Sequence, residues 1–81
     1  MECEELARVL GDIHRNAPDG QRSIALILFG IKYAEEIRSV ECTRRELFEL
    51  AGVPLGNVEV RYGVQLSEMN YVVLNEGSLW F

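Results

Sequence analysis

Two cysteines, one histidine and thirteen acidic side chains are the groups in this 81-residue chain on which metal or acid–base chemistry would have to rest. Cys3, His14 and Cys42 are scattered, whereas a structural zinc site needs about four ligands at close spacing, so no metal is expected. Two thiols that far apart form no disulfide framework and read as reduced cysteines of a cytosolic protein. His14 lies beside the apolar stripe of its segment, has no nucleophile as a neighbour, and reads as structural or surface. Glu4–Glu5 and Glu35–Glu36 are adjacent pairs, which on a helix point to different faces and read as solvated charge. Gly52 and Gly56 lack the following Lys and Ser/Thr that a phosphate-cradling loop requires. Tyr33, Tyr62 and Tyr71 read as core or hairpin aromatics rather than stacking platforms for single strands. No nucleophile, base and oxyanion donor come together, so the expectation is a protein that is not an enzyme and takes no cofactor.

Charge narrows the partners. Eight Lys+Arg against thirteen Asp+Glu give a net charge of −5. Non-specific attraction to phosphate usually comes from a basic chain, because counterion release supplies most of that affinity. Nucleic acid and anionic membrane surfaces therefore start at a disadvantage, although one face can locally reverse the sign. The longest apolar run, Ile24 to Ile31, is far short of the roughly twenty residues of a membrane span. No basic and then apolar leader opens the chain, and a soluble cytoplasmic protein is expected.

The elements that must position these side chains are mostly helical. Leu6, Val9, Leu10 and Ile13 follow helical spacing, with Cys3 and Ala17 on the same stripe, and predict a first helix from Glu2 to about Asn16. Glu2, Glu4 and Glu5 fall in its first turn, where carboxylates complement the helix dipole. The run from Asn16 to Gly20, with Pro18 inside it, ends it. Gln21 to Arg38 predicts a second helix with two apolar stripes. One is Ile24, Ile27, Leu28, Ile31 and Ala34; the other is Leu26, Phe29, Tyr33 and Ile37. A helix apolar on both sides is either central in its fold or buries one side against a partner chain. The few neighbours available in so short a domain point to a homodimer through Leu26, Phe29, Tyr33 and Ile37. Gly30 inside this helix permits close approach of another backbone.

Ser39 to Cys42 is a short β-prone link. Thr43 has the position of an N-cap, and Glu46 three residues later completes a capping box. A third helix then runs Arg44 to Ala51, burying Leu47, Leu50 and Ala51, with Gly52 as a left-handed stop and Pro54 beyond it. A fourth starts between Leu55 and Asn57, and Val58, Tyr62, Leu66 and Met69 lie on one of its faces, taken as the inward one. Tyr71 to Leu74 and Leu79 to Phe81 are β-prone runs flanking the turn cluster Asn75-Glu76-Gly77-Ser78, the pattern of a hairpin that packs back on the helices.

The stretch Thr43-Arg44-Arg45-Glu46-Leu47-Phe48-Glu49-Leu50-Ala51-Gly52-Val53, followed by Pro54-Leu55-Gly56-Asn57-Val58, resembles a helix-turn-helix. With the link before it and the hairpin after it, residues 40–81 resemble a winged-helix domain. The fold expected is mainly α: a small helical bundle with a helix-turn-helix and a short C-terminal β-hairpin. One domain spans 1–81, with two N-terminal helices in 1–38 and the winged-helix-like part in 40–81. Phe48 departs from the family pattern, which usually places a small residue there because the two helices cross closely. Arg61 departs too, standing where an aliphatic residue is common.

In DNA-binding members of that family the second helix enters the major groove and the wing touches phosphate or the minor groove. With Val58, Tyr62, Leu66 and Met69 inward, the outward face holds Asn57, Val60, Arg61, Val64 and Glu68. The resemblance then implies Asn57 and Arg61 as base readers, and Arg44 and Arg45 as contacts to backbone phosphate. The wing Asn75 to Ser78 carries no Lys or Arg, and between Val40 and Leu66 three arginines face four glutamates. The leading expectation is a DNA-binding or transcription-associated accessory protein acting on double-stranded DNA. The alternative is an acidic protein–protein interaction module without DNA binding, using Val60, Val64 and the outer face of the second helix. A small-ligand sensor is a third reading.

Overall fold

Five helices account for most of residues 1–53 and 57–69, the part of the chain that the computed structural model describes. They are α1 (Cys3–Asn16), α2 (Arg22–Lys32), α3 (Ala34–Ser39), α4 (Arg44–Ala51) and α5 (Asn57–Glu68). α1 packs on α4, α2 packs on α5, and the two pairs share one core. Every buried side chain among the described residues is apolar.

Local signals set α1 and α4 where the sequence places them. Leu6, Leu10 and Ile13 of α1 are buried, with Glu4 and Glu5 in its first turn. The Thr43 hydroxyl accepts from the Glu46 N–H at 3.1 Å, and the Thr43 N–H donates to the Glu46 carboxylate at 3.1 Å, so the capping box is complete. At the other end Gly52 has φ 71°, its N–H reaches the Glu49 carbonyl, and the Val53 N–H reaches that of Phe48. That pair of bonds satisfies the last carbonyls of α4 and turns the chain sharply. Phe48, the departure from the family pattern, is buried in the core beside Leu47, whereas Leu50, expected inside, is exposed.

The second expected helix is two. α2 stops at Lys32, and α3 resumes at Ala34 in a new direction, with Tyr33 between them at φ −108° and ψ 25°. Tyr33 keeps the helical ladder, donating to Phe29 and accepting from Ile37, both at 2.9 Å. Its ring packs on Phe29 at 5.2 Å between centroids. The bend lets Ala34 and Ile37 enter the core and lays α3 against α5, where Arg38 pairs with Glu68 at 3.3 Å.

The side chains expected to form a dimer interface through α2 are instead taken up by the core of one protomer. Phe29 is fully buried, and Leu26 and Ile37 nearly so, while Tyr33 is half-buried against Phe29. Of the two alternatives for a helix apolar on both sides, α2 is the central one: it lies against both α1 and α5. Its exposed apolar residue is Ile24, from the stripe taken as the inner one.

Gly30 explains how α2 can be central. A Cβ there would meet the Val60 carbonyl oxygen at 2.3 Å, and one on Gly63 would meet the Ile27 carbonyl oxygen at 2.1 Å. The two helices cross backbone to backbone. Such a crossing leaves room only for small side chains around it, and the residues that fill it are Val60 and Val64, both buried. α5 is therefore rotated by about half a turn from its expected orientation: Val60 and Val64 point in, and Val58, Tyr62 and Met69 are exposed.

Two further expectations change. Cys3 and Cys42 are not free thiols. They form a disulfide, with Cα atoms 6.0 Å apart, which ties the start of α1 to the link before α4. With the thiols joined, the inference to a reducing compartment loses its premise. The link Ser39 to Cys42 is not a strand, and Val40 ends α3 by donating to the Glu36 carbonyl at 2.9 Å. The turn at Pro54–Gly56 and the expected hairpin from Tyr71 to Phe81 lie outside the described residues.

Candidate nucleic-acid interface

The core-facing side of α5 is set by the Gly30–Gly63 crossing, and its solvent side follows by helical geometry. Val58, Arg61, Tyr62, Gln65 and Met69 are all exposed there. Val58, Arg61 with Tyr62, Gln65 and Met69 recur every three or four residues, which puts them on one continuous face. Arg61 is in no ion pair among the described residues, so its guanidinium is available for a bidentate contact. Gln65, one turn further on, carries an amide that can donate and accept at once. Glu68, at the far end of α5, has part of its charge offset by Arg38.

The other expected site residues are distributed as follows. Asn57 opens α5, and its side chain lies outside the described set. Arg44 and Arg45 follow the cap residue Thr43 in the first turn of α4. Arg44 is half-buried; Arg45 is exposed and reaches Glu49 one turn on at 3.2 Å. That pair is 88% and 67% exposed, so solvent screens it and Arg45 can exchange partners at little cost. α4 and α5 touch, but no hydrogen bond or ion pair among the described residues joins Arg44 or Arg45 to Arg61. Val60 and Val64, expected on the outer face, belong to the core.

Sequence reasoning missed Val58, Tyr62, Gln65 and Met69 as surface residues of this face. The signal that would have found them is Gly63, which with Gly30 gives each of two apolar helices a small residue. That pairing marks the closest approach, and with it the side of α5 that must be buried.

The arrangement is a short capped helix, a left-handed glycine stop, and a second helix with one face sealed and the other presenting polar and apolar groups. A family model of an HTH-like domain matches residues 2–75, most of the chain, and the protein belongs to that family of helix-turn-helix-type domains. No curated protein and no solved structure matches the chain. No helix among the described residues is long and apolar enough to cross a membrane.

Proposed function

We propose that the protein is a non-enzymatic DNA-binding or transcription-associated accessory protein whose α5 enters the major groove of double-stranded DNA. The observation that carries this reading is the solvent face of α5, the second helix of the helix-turn-helix, with Arg61 and Gln65 exposed one turn apart. Arginine pairs bidentately with guanine and glutamine with adenine, and Val58 and Tyr62 beside them suit thymine methyls. Arg44 and Arg45 supply contacts to phosphate, which position the domain without reading sequence.

Fluorescence anisotropy of a labelled random duplex, titrated at about 50 and 200 mM salt, tests the reading. Two or three phosphate contacts give a salt slope of about −2 to −3, so affinity is expected to fall roughly 10- to 40-fold across that range. Arg61→Ala should relax discrimination between duplexes, whereas Arg44→Ala should weaken all of them alike. Absence of binding at the lower salt removes the proposal.

A second reading has an observation of its own. On the same face Val58, Tyr62 and Met69 are 45%, 52% and 60% exposed, in a chain of net charge −5. An apolar stripe on an acidic protein fits a protein–protein interaction module, and that function takes precedence if the duplex titration fails.

A further inference from the structure

The surface on the Cys3 side of the Cys3–Cys42 bridge is acidic, while Arg44 and Arg45 follow Cys42 on the other side. A shallow open groove of about 640 Å³ runs past Cys3, lined also by Met1, Ser39, Val40 and four glutamates, Glu2, Glu4, Glu5 and Glu41. The four carboxylates outnumber the one cationic group in that lining, the α-ammonium of Met1, and no lysine, arginine or histidine side chain is among the lining residues. All four glutamates are exposed and both cysteines are half-buried, and of the two it is Cys3 that lines the groove, the side from which a small thiol would approach. Glu2 and Glu4 flank Cys3 in the chain, and Glu41 precedes Cys42, which keeps three carboxylates within one residue of the bridge.

We propose that this bridge is a thiol-exchange site selective by charge, opened by neutral and cationic thiols and screened from anionic ones. The reacting species is a thiolate. It attacks Sγ of one cysteine, a mixed disulfide forms, the Cys3–Cys42 bond breaks, and the other cysteine leaves as a thiolate. A second thiol then resolves the mixed disulfide. Two electrons pass to the protein, the two cysteine thiolates take protons from water, and the reductant leaves as its own disulfide. The attacking sulfur is negative in every case, so the difference lies in the rest of the molecule. A thiol with an ammonium group is drawn into the groove, and one with a carboxylate or sulfonate is repelled. The inference does not depend on DNA binding.

The test is the rate of opening by 2-aminoethanethiol, 2-mercaptoethanol and 2-mercaptoethanesulfonate. Each rate is divided by that of the same thiol on an uncharged small disulfide, which cancels its intrinsic reactivity. At low salt the cationic reagent should lead and the anionic one trail, with about tenfold between them, and 1 M salt should close most of that gap. The triple variant Glu2→Gln/Glu4→Gln/Glu41→Gln should close it at low salt as well, with far-UV circular dichroism confirming that the fold is intact. Equal normalised rates at low salt overturn the proposal. So does a gap that persists in both the variant and high salt, since its origin would then be steric.

Discussion

At Gly30 and Gly63 the absence of a side chain decides the packing of the molecule. A glycine inside a helix is ordinarily a small loss, and replacing it with alanine at an open site gains about 1 kcal/mol in helix propensity. Here the added carbon would sit 2.3 Å or 2.1 Å from a backbone carbonyl oxygen of the facing helix, and backbone cannot swing aside as a side-chain tip can. The sign therefore reverses. Gly63→Ala is expected to destabilise the fold by about 3 kcal/mol, the upper part of the usual range for overpacked cores, and Gly30→Ala by a similar amount. Urea denaturation read at the midpoint measures both. A gain in stability in either variant would mean that the helices do not cross this closely. Gly11 repeats the pattern more mildly, with a Cβ there 2.9 Å from the Ala51 carbonyl oxygen, where α1 crosses α4.

Among the elements, α4 and α5 show what periodicity and local chemistry can reach. α4 was legible to the residue, because its start and stop are short-range devices: Thr43 with Glu46, and Gly52 with Val53. Thr43→Ala should cost about 1 kcal/mol, the typical loss of an N-cap, as thermal unfolding would register. α5 was legible as a helix but not in rotation. Val58, Tyr62, Leu66 and Met69 make a stripe as regular as Val60 and Val64 do, and bulk argued for the wrong one, since the crossing of α2 and α5 admits only the smaller. Truncating each stripe separates the two orientations. Val60→Ala should lose about 2 kcal/mol from a fully buried site, while Val58→Ala and Tyr62→Ala should stay within about 0.5 kcal/mol. Comparable losses on both sides would show that the outer stripe is covered as well. The same rotation altered the candidate site. Arg61 stays exposed in either phase because it lies between the two stripes, whereas Gln65 became legible as part of the face only once the core side was known.

Over the whole molecule the least legible feature is the bridge between Cys3 and Cys42, because nothing local relates residues 39 positions apart. Only after α1 packs on α4 are the start of α1 and the link before Thr43 neighbours. The bridge encloses α1, α2 and α3 in its loop and leaves α4 and α5 outside, so it restrains the unfolded chain without touching the solvent face of α5. In the chain-entropy account, closing a loop of that length removes about 4 kcal/mol of freedom from the denatured state. For a domain of this size that is a large share of the expected total stability. The double variant Cys3→Ser/Cys42→Ser should accordingly keep its helical circular dichroism at room temperature but melt about 20 °C lower. Its unfolded chain, freed of the cross-link, should expose more surface, so the urea midpoint falls while the slope m rises. A lower midpoint at unchanged m would place the effect in the folded state instead, as lost packing between α1 and the α3–α4 link. The two parameters together therefore say whether the bridge acts by holding α4 in place or by confining the chain before it folds.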